Sequence, residues 1–168
     1  MQIIGLCGNI ASGKTSIAIE LKWILDKSLG KNSAMLSIAY PIKAIAEHSF
    51  GWNCKKDQKG RKLLQVIGSE CGRKYNKNIW IDKLDYRLQN YSKDTIVIID
   101  DVRFDNEIEY IEKMGGTVFC LGRDGSIGDT HISECGITKD KHCIIEIDNN
   151  GKKVDTANNI INILAPNK

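Results

Sequence analysis

A glycine-rich loop between an apolar run and an amphipathic segment is the feature that most constrains how this chain folds. Residues 8–15 read Gly-Asn-Ile-Ala-Ser-Gly-Lys-Thr and match the phosphate-binding pattern G-x-x-x-x-G-K-[ST]. The apolar run 2–7 precedes this P-loop, and apolar residues follow it at helical spacing, namely Ile17, Leu21, Ile24 and Leu25. The pattern predicts a buried strand, a tight loop and a helix, which is the opening unit of an α/β sheet.

The chemistry of this loop depends on its glycines, its lysine and its hydroxyl groups. Glycine lets the backbone curl until its N–H groups point at phosphate oxygens, and the following helix adds the positive end of its dipole. In this pattern Lys14 reaches the β and γ phosphates, and Thr15 holds Mg²⁺. The predicted nucleotide-binding residues are Gly8, Asn9, Ile10, Ala11, Ser12, Gly13, Lys14, Thr15 and Ser16. The alternative is an ordinary glycine-rich turn between a strand and a helix.

Composition limits the remaining possibilities. The 168 residues are 42% hydrophobic and 27% charged, which predicts a single domain over 1–168 with neither disorder nor a membrane span. The first apolar run is short and lacks a basic leader, and the six cysteines show no C-x-x-C spacing, so we expect a cytoplasmic protein with reduced thiols. The net charge of +3 is too small to indicate stable nucleic-acid binding.

Strand and helix patterns alternate along the chain. Besides 2–7, apolar and β-branched runs predict strands at 34–39, 95–99, 117–121 and 143–147. Helices lie between them; Pro41 opens one, and Gly115 with Gly116 closes another. This alternation predicts about five parallel strands flanked by helices, with ligands bound at the carboxyl ends of the strands. The P-loop, the pair Asp100 and Asp101, and Arg123 then share one edge of the sheet.

An acidic pair directly follows the predicted strand 95–99. A carboxylate in this position holds Mg²⁺ directly or through water. We assign the role to Asp101 together with Thr15, and spacing leaves open which of the two aspartates faces the metal. The alternative is that the pair caps the next helix. Arg103 and Glu107 stand four residues apart, which predicts either a surface ion pair or a phosphate-facing arginine held by Glu107.

Arginine is rare in this chain, and its positions are informative. Only five of the 24 basic residues are arginine, and four of these fall in segments marked by other features, namely Arg61, Arg73, Arg103 and Arg123. The planar fork of arginine suits bidentate phosphate contacts, and surface ion pairs are the alternative. Arg61 and Gln65 share a helix face that Gly68 and Gly72 continue, which lets a ligand or another segment approach closely.

The segment 123–142 has no clear period and interrupts the alternation. A loop of this length in a compact domain is usually functional, and we predict a mobile lid. His131, Cys135 and His142 of this segment, with the adjacent Cys143, do not follow a zinc-ligand spacing, so no structural zinc is expected. The three tryptophans, Trp23, Trp52 and Trp80, are expected to lie fully or partly in the core.

Several segments together resemble the phage-type deoxynucleoside monophosphate kinases, members of the P-loop nucleoside monophosphate kinase superfamily. They are 8–15, 39–43, 59–70 with Arg73 and Trp80, 101–104 with Glu107, 131–134 and 148–151. The resemblance implies the three-layer P-loop kinase fold, ATP as donor, Mg²⁺, and a phage enzyme acting in the bacterial or host cytoplasm. One position departs from the family, which often has an acidic residue before the proline; Tyr40 offers a hydroxyl there and no carboxylate.

The resemblance also implies roles for individual residues. The region 41–92 is expected to bind the acceptor nucleotide. Its expected contacts are Lys43, Arg61, Gln65, Glu70, Arg73 and Trp80, joined by Arg103 and Glu107. The expected catalytic residues are Lys14, Asp101, Arg103 and Arg123. Asn149 is expected near the donor adenine.

The implied reaction transfers the γ-phosphoryl group of ATP to the 5′-phosphate of a deoxynucleoside monophosphate. A related small-molecule kinase such as dephospho-coenzyme A kinase is the nearest alternative, and an assembly module that uses ATP as a switch is a second. The expected partners are small nucleotides, without a membrane. Spacing determines neither the base preference nor the oligomeric state, and a homodimer is one of the states it leaves open.

Overall fold

Five parallel strands form one sheet in the order β2-β3-β1-β4-β5. The computed structural model describes residues 1–125 and 137–164. The strands are β1 (Gln2–Cys7), β2 (Ser33–Leu36), β3 (Ile96–Ile99), β4 (Thr117–Gly122) and β5 (Ile144–Asp148). The apolar runs of β1 and β3 are buried from Ile3 to Cys7 and from Val97 to Ile99, as expected of strands covered on both faces. The predicted parallel sheet of five strands is confirmed.

The strands end in register at one edge of the sheet. Gly5 of β1 pairs with Ile99 at the end of β3, and Cys7 at the end of β1 pairs with Cys120 of β4. Gly122, the last residue of β4, pairs with Asp148, the last residue of β5. The segments that follow these four strands therefore leave the sheet at the same edge.

Helices connect and cover the strands. They are α1 (Lys14–Trp23), α2 (Tyr40–Phe50), α3 (Gln58–Gln65), α4 (Ile79–Leu88), α5 (Asp105–Lys113) and α6 (Lys153–Leu164). The chain continues beyond α1 and α3 in the wider winding of a π-helix, over Ile24–Ser28 and Val66–Arg73, and Lys139–Lys141 form a short 3₁₀ turn. Among the described residues, none of the helices combines the length and the apolar character needed to cross a membrane.

Two expectations from the sequence need correction. The strand predicted at 34–39 ends at Leu36, because the chain turns there and the N–H of Tyr40 donates to the Ser37 carbonyl at 3.3 Å. Trp23, expected in the core, is 57% exposed on α1. The predicted end of α5 is confirmed: Gly115 has φ +74°, and the N–H of Gly116 returns to the Ile111 carbonyl at 2.9 Å.

The chain divides into two compact units. The first comprises Met1–Leu36 and Ser92–Lys168, and it contains the sheet. In this unit α1 packs against α6, and apolar side chains of both helices meet those of the central strands, among them Leu6, Ile17, Ile98, Phe119 and Ile160. This core holds α1, and therefore the loop before it, in a defined position.

The second unit is Ser37–Tyr91 and contains α2, α3 and α4. Its core includes Trp80, which is 4% exposed and donates from Nε1 to the Gly68 carbonyl at 2.8 Å. The indole ring lies where a Cβ on Gly72 would stand, so glycine is required there for steric reasons. The unit nearly coincides with the predicted acceptor region 41–92, whose role stays a prediction, as does the single domain over 1–168.

Candidate functional site

The P-loop adopts a conformation that its glycines permit. Gly8 and Gly13 have φ of +134° and +91°, and Ala11 has φ of +64°. A Cβ on Gly8 would stand 2.5 Å from the Leu121 carbonyl oxygen, and one on Gly13 would stand 2.6 Å from Asn149 Nδ2. Both glycines are therefore required by backbone angle and by space. The loop passes directly into α1, whose free N–H groups and dipole favour an anion.

Lys14 folds back over this loop. Its Nζ donates to the carbonyls of Gly8 and Asn9, both at 2.7 Å. Burial, with a contribution from the nearby positive charge of Arg103, lowers the pKa of Lys14 to about 8. Two cationic side chains thus share one region, and a polyanion such as a triphosphate would relieve their repulsion.

Thr15 and Asp100 bring two oxygen ligands together at the same edge. Thr15 Oγ1 donates to Asp100 Oδ2 at 2.7 Å, although 85 residues separate them in the chain. A hydroxyl and a carboxylate are ligands that Mg²⁺ accepts, so these residues fit a magnesium ion. The sequence-based assignment named Asp101 as the partner of Thr15, and in the structure Asp100 makes that contact. The role of Asp101 stays a prediction.

Arg103 is held through its backbone by a buried carboxylate. Glu107 is 2% exposed, and its Oε2 accepts from the N–H groups of Arg103 at 2.8 Å and Phe104 at 3.2 Å. Phe104 occupies the N-cap position of α5 and has no side-chain acceptor, so Glu107 caps the helix instead. The predicted substrate contact of Glu107 stays a prediction; the contacts found here order the backbone of Arg103. The alternative predicted that Asp100 or Asp101 caps α5, but the N-cap residue of this helix is Phe104.

Arg123 and Asn149 also lie beside the P-loop. Arg123 Nη1 stands 3.9 Å from the place of a Cβ on Gly13. Asn149 is 5% exposed and donates from Nδ2 to the Ser12 carbonyl at 2.7 Å. The side chain of Asn149 therefore contacts the phosphate loop itself, a role that the resemblance did not imply. Its predicted place near the donor adenine stays a prediction.

The predicted acceptor residues lie in the second unit. Arg61 is exposed on α3 and donates from Nε to the Lys56 carbonyl at 3.0 Å. An open groove on this helix is lined by Gln58, Lys59, Arg61, Lys62 and Gln65. Arg73 donates to the Gly68 carbonyl at 3.3 Å, and Glu70 pairs with Lys74 at 2.5 Å. The groove is basic, as binding of a phosphate requires, and Lys43 lies on α2 of the same unit.

Sequence reasoning gave no role to the fifth arginine, Arg87. It donates to the Ser37 carbonyl at 2.9 Å, and its guanidinium lies 4.6 Å from the centre of the Tyr40 ring. Tyr40, the residue at which this chain departs from the family pattern, thus carries a cation–π contact. No local signal could have found it, since 50 residues separate Arg87 from Ser37.

The end of the predicted lid is anchored on α5. His142 lies between Asp105 Oδ1 at 3.2 Å and Glu112 Oε2 at 3.4 Å, and its side chain is 2% exposed. Thr138 donates to Asp105 from its N–H at 2.6 Å and from its hydroxyl at 2.9 Å. These bonds lower the pKa of Asp105. Residues 126–136 of the predicted lid 123–142, with His131 and Cys135, lie outside the described residues.

Comparison with known proteins agrees with this geometry. The family model for deoxynucleotide monophosphate kinases matches residues 9–160. A protein of Acanthamoeba polyphaga mimivirus, provisionally named a deoxynucleotide monophosphate kinase, is 32% identical over 178 aligned positions, which cover 89% of each chain. These two matches come from the sequence and span both compact units.

Solved structures of other kinases share the fold. Shikimate kinase of Aquifex aeolicus superposes with a TM-score of 0.54 at 13% identity, covering 97% of this chain and 96% of that one. A gluconokinase of Sinorhizobium meliloti gives 0.52 at 13% identity, with 98% and 92% covered. At such identities the likeness concerns the fold alone, and it confirms the predicted P-loop kinase architecture.

Proposed function

Because the chain belongs to the deoxynucleotide monophosphate kinase family, we propose that it transfers the γ-phosphoryl group of ATP to the 5′-phosphate of a deoxynucleoside monophosphate. The products are ADP and a deoxynucleoside diphosphate. Family membership confirms the resemblance found in the motifs and makes the chain a phosphotransferase. The observation that carries the proposal is the convergence of the P-loop, Lys14, Arg103 and the Thr15–Asp100 pair at one sheet edge.

On the donor side, the chain's task is positioning and charge neutralisation. Phosphoryl transfer needs little covalent chemistry from the protein, because charge spreads over the equatorial oxygens of the transferred group. The N–H groups of the P-loop and the start of α1 bind the phosphates, and Lys14 exchanges the loop carbonyls for the β and γ phosphate oxygens. Arg103 and Arg123 add positive charge beside the same loop.

Thr15 and Asp100 are the residues that would hold magnesium, on the evidence of their direct hydrogen bond. When bound, the ion neutralises phosphate oxygens and orients the leaving group. Lys14 and Thr15 are the first two residues of α1, and Asp100 follows β3. The cationic charge and one metal ligand therefore come from α1, and the other ligand comes from the end of β3. Asp101, assigned from the sequence, is retained as a second candidate ligand.

On the acceptor side, the second unit supplies the candidate phosphate contacts. Arg61 has an exposed guanidinium on a basic helix face, and Gln65 lines the same groove. The fork of an arginine binds two oxygens of one phosphate group, which fixes a monophosphate in orientation as well as in place. We assign Lys43, Glu70, Arg73 and Trp80 to the surroundings of this acceptor.

An acceptor panel tests the proposed function. Each deoxynucleoside and ribonucleoside monophosphate is supplied with ATP and Mg²⁺, and ADP and diphosphate are scored; dephospho-coenzyme A is included. We expect ADP and a matching deoxynucleoside diphosphate in equal amounts. Lys14→Ala is the inactive control, with kcat lower by on the order of 100- to 1000-fold, because it removes a cation that stabilises the transition state.

The other outcomes of this panel contradict the proposal. Phosphorylation of dephospho-coenzyme A alone indicates transfer to a sugar hydroxyl. ADP without any phosphorylated acceptor, made faster by a protein or nucleic acid, indicates an ATP-switched assembly module. Near-normal turnover by Lys14→Ala excludes the P-loop as the donor site.

A further inference from the structure

A buried chain of polar side chains connects α6 to the P-loop. Thr156 Oγ1 donates to Asn149 Oδ1 at 3.0 Å, and Asn149 Nδ2 donates to the Ser12 carbonyl at 2.7 Å. Thr156 and Asn149 are each 5% exposed, and Ser12 is fully buried. We name these three residues the P-loop relay. A polar group buried to this extent is costly unless its partners are in place, so the relay has one arrangement.

The direction of the hydrogen bonds in the P-loop relay follows from chemistry. A backbone carbonyl only accepts, so the amide of Asn149 must turn its NH₂ group toward Ser12. Its oxygen then faces Thr156, whose hydroxyl must donate. The backbone of Asn149 is fixed as well, because its N–H donates to the Gly122 carbonyl at 2.8 Å. Both polar groups of the Asn149 side chain are thus occupied by the protein.

The P-loop relay determines how one peptide group of the loop is oriented. A trans peptide is planar, with its C=O and N–H pointing in opposite directions. Holding the Ser12 carbonyl on Asn149 therefore turns the N–H of Gly13 away from Asn149. Asn149 Nδ2 also fills the space beside Gly13, 2.6 Å from the place of a Cβ, so the side of the peptide that faces Asn149 is closed to a ligand.

We infer that Asn149 and Thr156 are positioning residues of the donor site, which hold the Ser12–Gly13 peptide so that its N–H faces the phosphates of ATP. This assigns to Asn149 a role other than contact with the adenine, since its side-chain oxygen and nitrogen each have a partner in the protein and the residue is almost wholly buried. It assigns a role to Thr156, which no motif singled out. The inference rests on the proposed function insofar as ATP is the donor.

Variants of Thr156 test the hydroxyl without changing the loop sequence. Thr156→Val keeps the shape and removes the donor. Thr156→Ser and Thr156→Ala form a second pair that differs in the hydroxyl alone. Asn158→Ala, an exposed position on the same helix, is the matched control. ATP affinity by calorimetry, KM for ATP, KM for the acceptor, kcat and thermal unfolding are measured for each.

We expect Thr156→Val to raise the Kd and KM for ATP by on the order of tenfold, as loss of one buried hydrogen bond does, with the acceptor KM unchanged. Thr156→Ser retains ATP affinity within about threefold, and Thr156→Ala loses as much as the valine variant. Asn149→Ala combined with Thr156→Val binds ATP no worse than Asn149→Ala alone, because the two residues act in series.

Three results overturn the inference. The first is a drop in thermal stability with unchanged ATP affinity, which indicates a purely structural role. The second is equal behaviour of Thr156→Ser and Thr156→Ala, a comparison that decides the matter even if Thr156→Val does not fold. The third is additive loss in the double variant. Calorimetry measures ATP binding without an acceptor, so it tests the P-loop relay even if the proposed function is wrong. If wild-type protein binds ATP but phosphorylates no deoxynucleotide, the proposed function is rejected and the relay can still be tested.

Discussion

At the scale of single residues, the proposed donor site depends on polar atoms that different elements bring into contact. Thr15 starts α1 and Asp100 follows β3, and their side chains meet at 2.7 Å. Lys14 donates to the carbonyls of Gly8 and Asn9 in its own loop, and burial, with the nearby charge of Arg103, lowers its pKa to about 8. We expect this loop to exchange its internal hydrogen bonds with Lys14 for bonds to phosphate oxygens, with little rearrangement of the backbone.

The neighbouring carboxylates Asp100 and Asp101 can be separated by their response to magnesium. We expect Asp100→Asn to raise the Mg²⁺ concentration for half-maximal activity by on the order of tenfold, because the amide is a weaker ligand beside Thr15. Asp101→Asn serves as the matched control and shifts the same midpoint less. Initial rates titrated with Mg²⁺ at saturating ATP measure both. A larger shift of the Mg²⁺ midpoint in Asp101→Asn than in Asp100→Asn would show that Asp101, the residue assigned from the sequence, is the metal ligand.

At the scale of elements, α5 links the donor edge to the segment after the undescribed residues. Its first turn holds Arg103 through Glu107. Asp105 accepts two hydrogen bonds from Thr138, and Glu112 accepts from the N–H of Cys143 at 2.9 Å. Movement of α5 would therefore shift the position of Arg103 and of residues 137–143.

The Asp105 contacts predict a pH dependence of stability. Hydrogen bonds from Thr138 lower the pKa of Asp105 in the folded protein, so the carboxylate stabilises the fold above its unfolded pKa and loses this effect as the pH falls through the folded value. We expect Asp105→Asn to unfold more easily at pH 7, by about 1 kcal/mol. The difference from wild type should shrink below about pH 4.

Urea unfolding at several pH values measures this effect. Asp94→Asn is the control, since Asp94 is exposed and lies outside this contact. A destabilisation by Asp105→Asn that stays constant down to pH 3 would show that the ionised carboxylate is not the stabilising group.

At the scale of the whole molecule, the donor and acceptor candidates fall in different compact units. The P-loop, Asp100 and Arg103 belong to the first unit, and Arg61 and Gln65 belong to the second. The second unit is inserted in the chain between β2 and β3. A substitution in the proposed acceptor groove on α3 therefore lies outside the unit that contains the sheet and the P-loop.

This division predicts how substitutions separate the two substrates. We expect Arg61→Ala to raise the acceptor KM by on the order of tenfold, through loss of a charged hydrogen bond, with little change in the KM for ATP. Lys83→Ala, at an exposed position on α4 of the same unit and outside the groove, should alter neither value by more than about twofold. Steady-state rates with each substrate varied measure both constants. A matching rise in the KM for ATP would transfer Arg61 to the donor side.

Much of the fold could be predicted because its signals are local. The glycines and lysine of the P-loop lie within eight positions, and apolar periodicity marked most strands and helices. Errors arose for two different reasons. The strand predicted at 34–39 is cut short by a turn at Ser37, which spacing does not encode. Trp23 was expected in the core because tryptophan is large and apolar, but it lies off the stripe formed by Ile17, Leu21, Ile24 and Leu25 and faces solvent, as its spacing requires.

The sequence by itself determined the alternating α/β order, the P-loop and the family, since backbone freedom and hydrophobic periodicity reside in residues close together in the chain. Only the tertiary structure decided that Asp100 meets Thr15, that Arg87 covers Tyr40, and that Thr156 supports the P-loop through Asn149. The relay contact to Ser12 spans 137 residues. Such contacts depend on strand order and register, which no local pattern specifies. They also depend on side-chain direction, which alternates from one residue to the next along a strand.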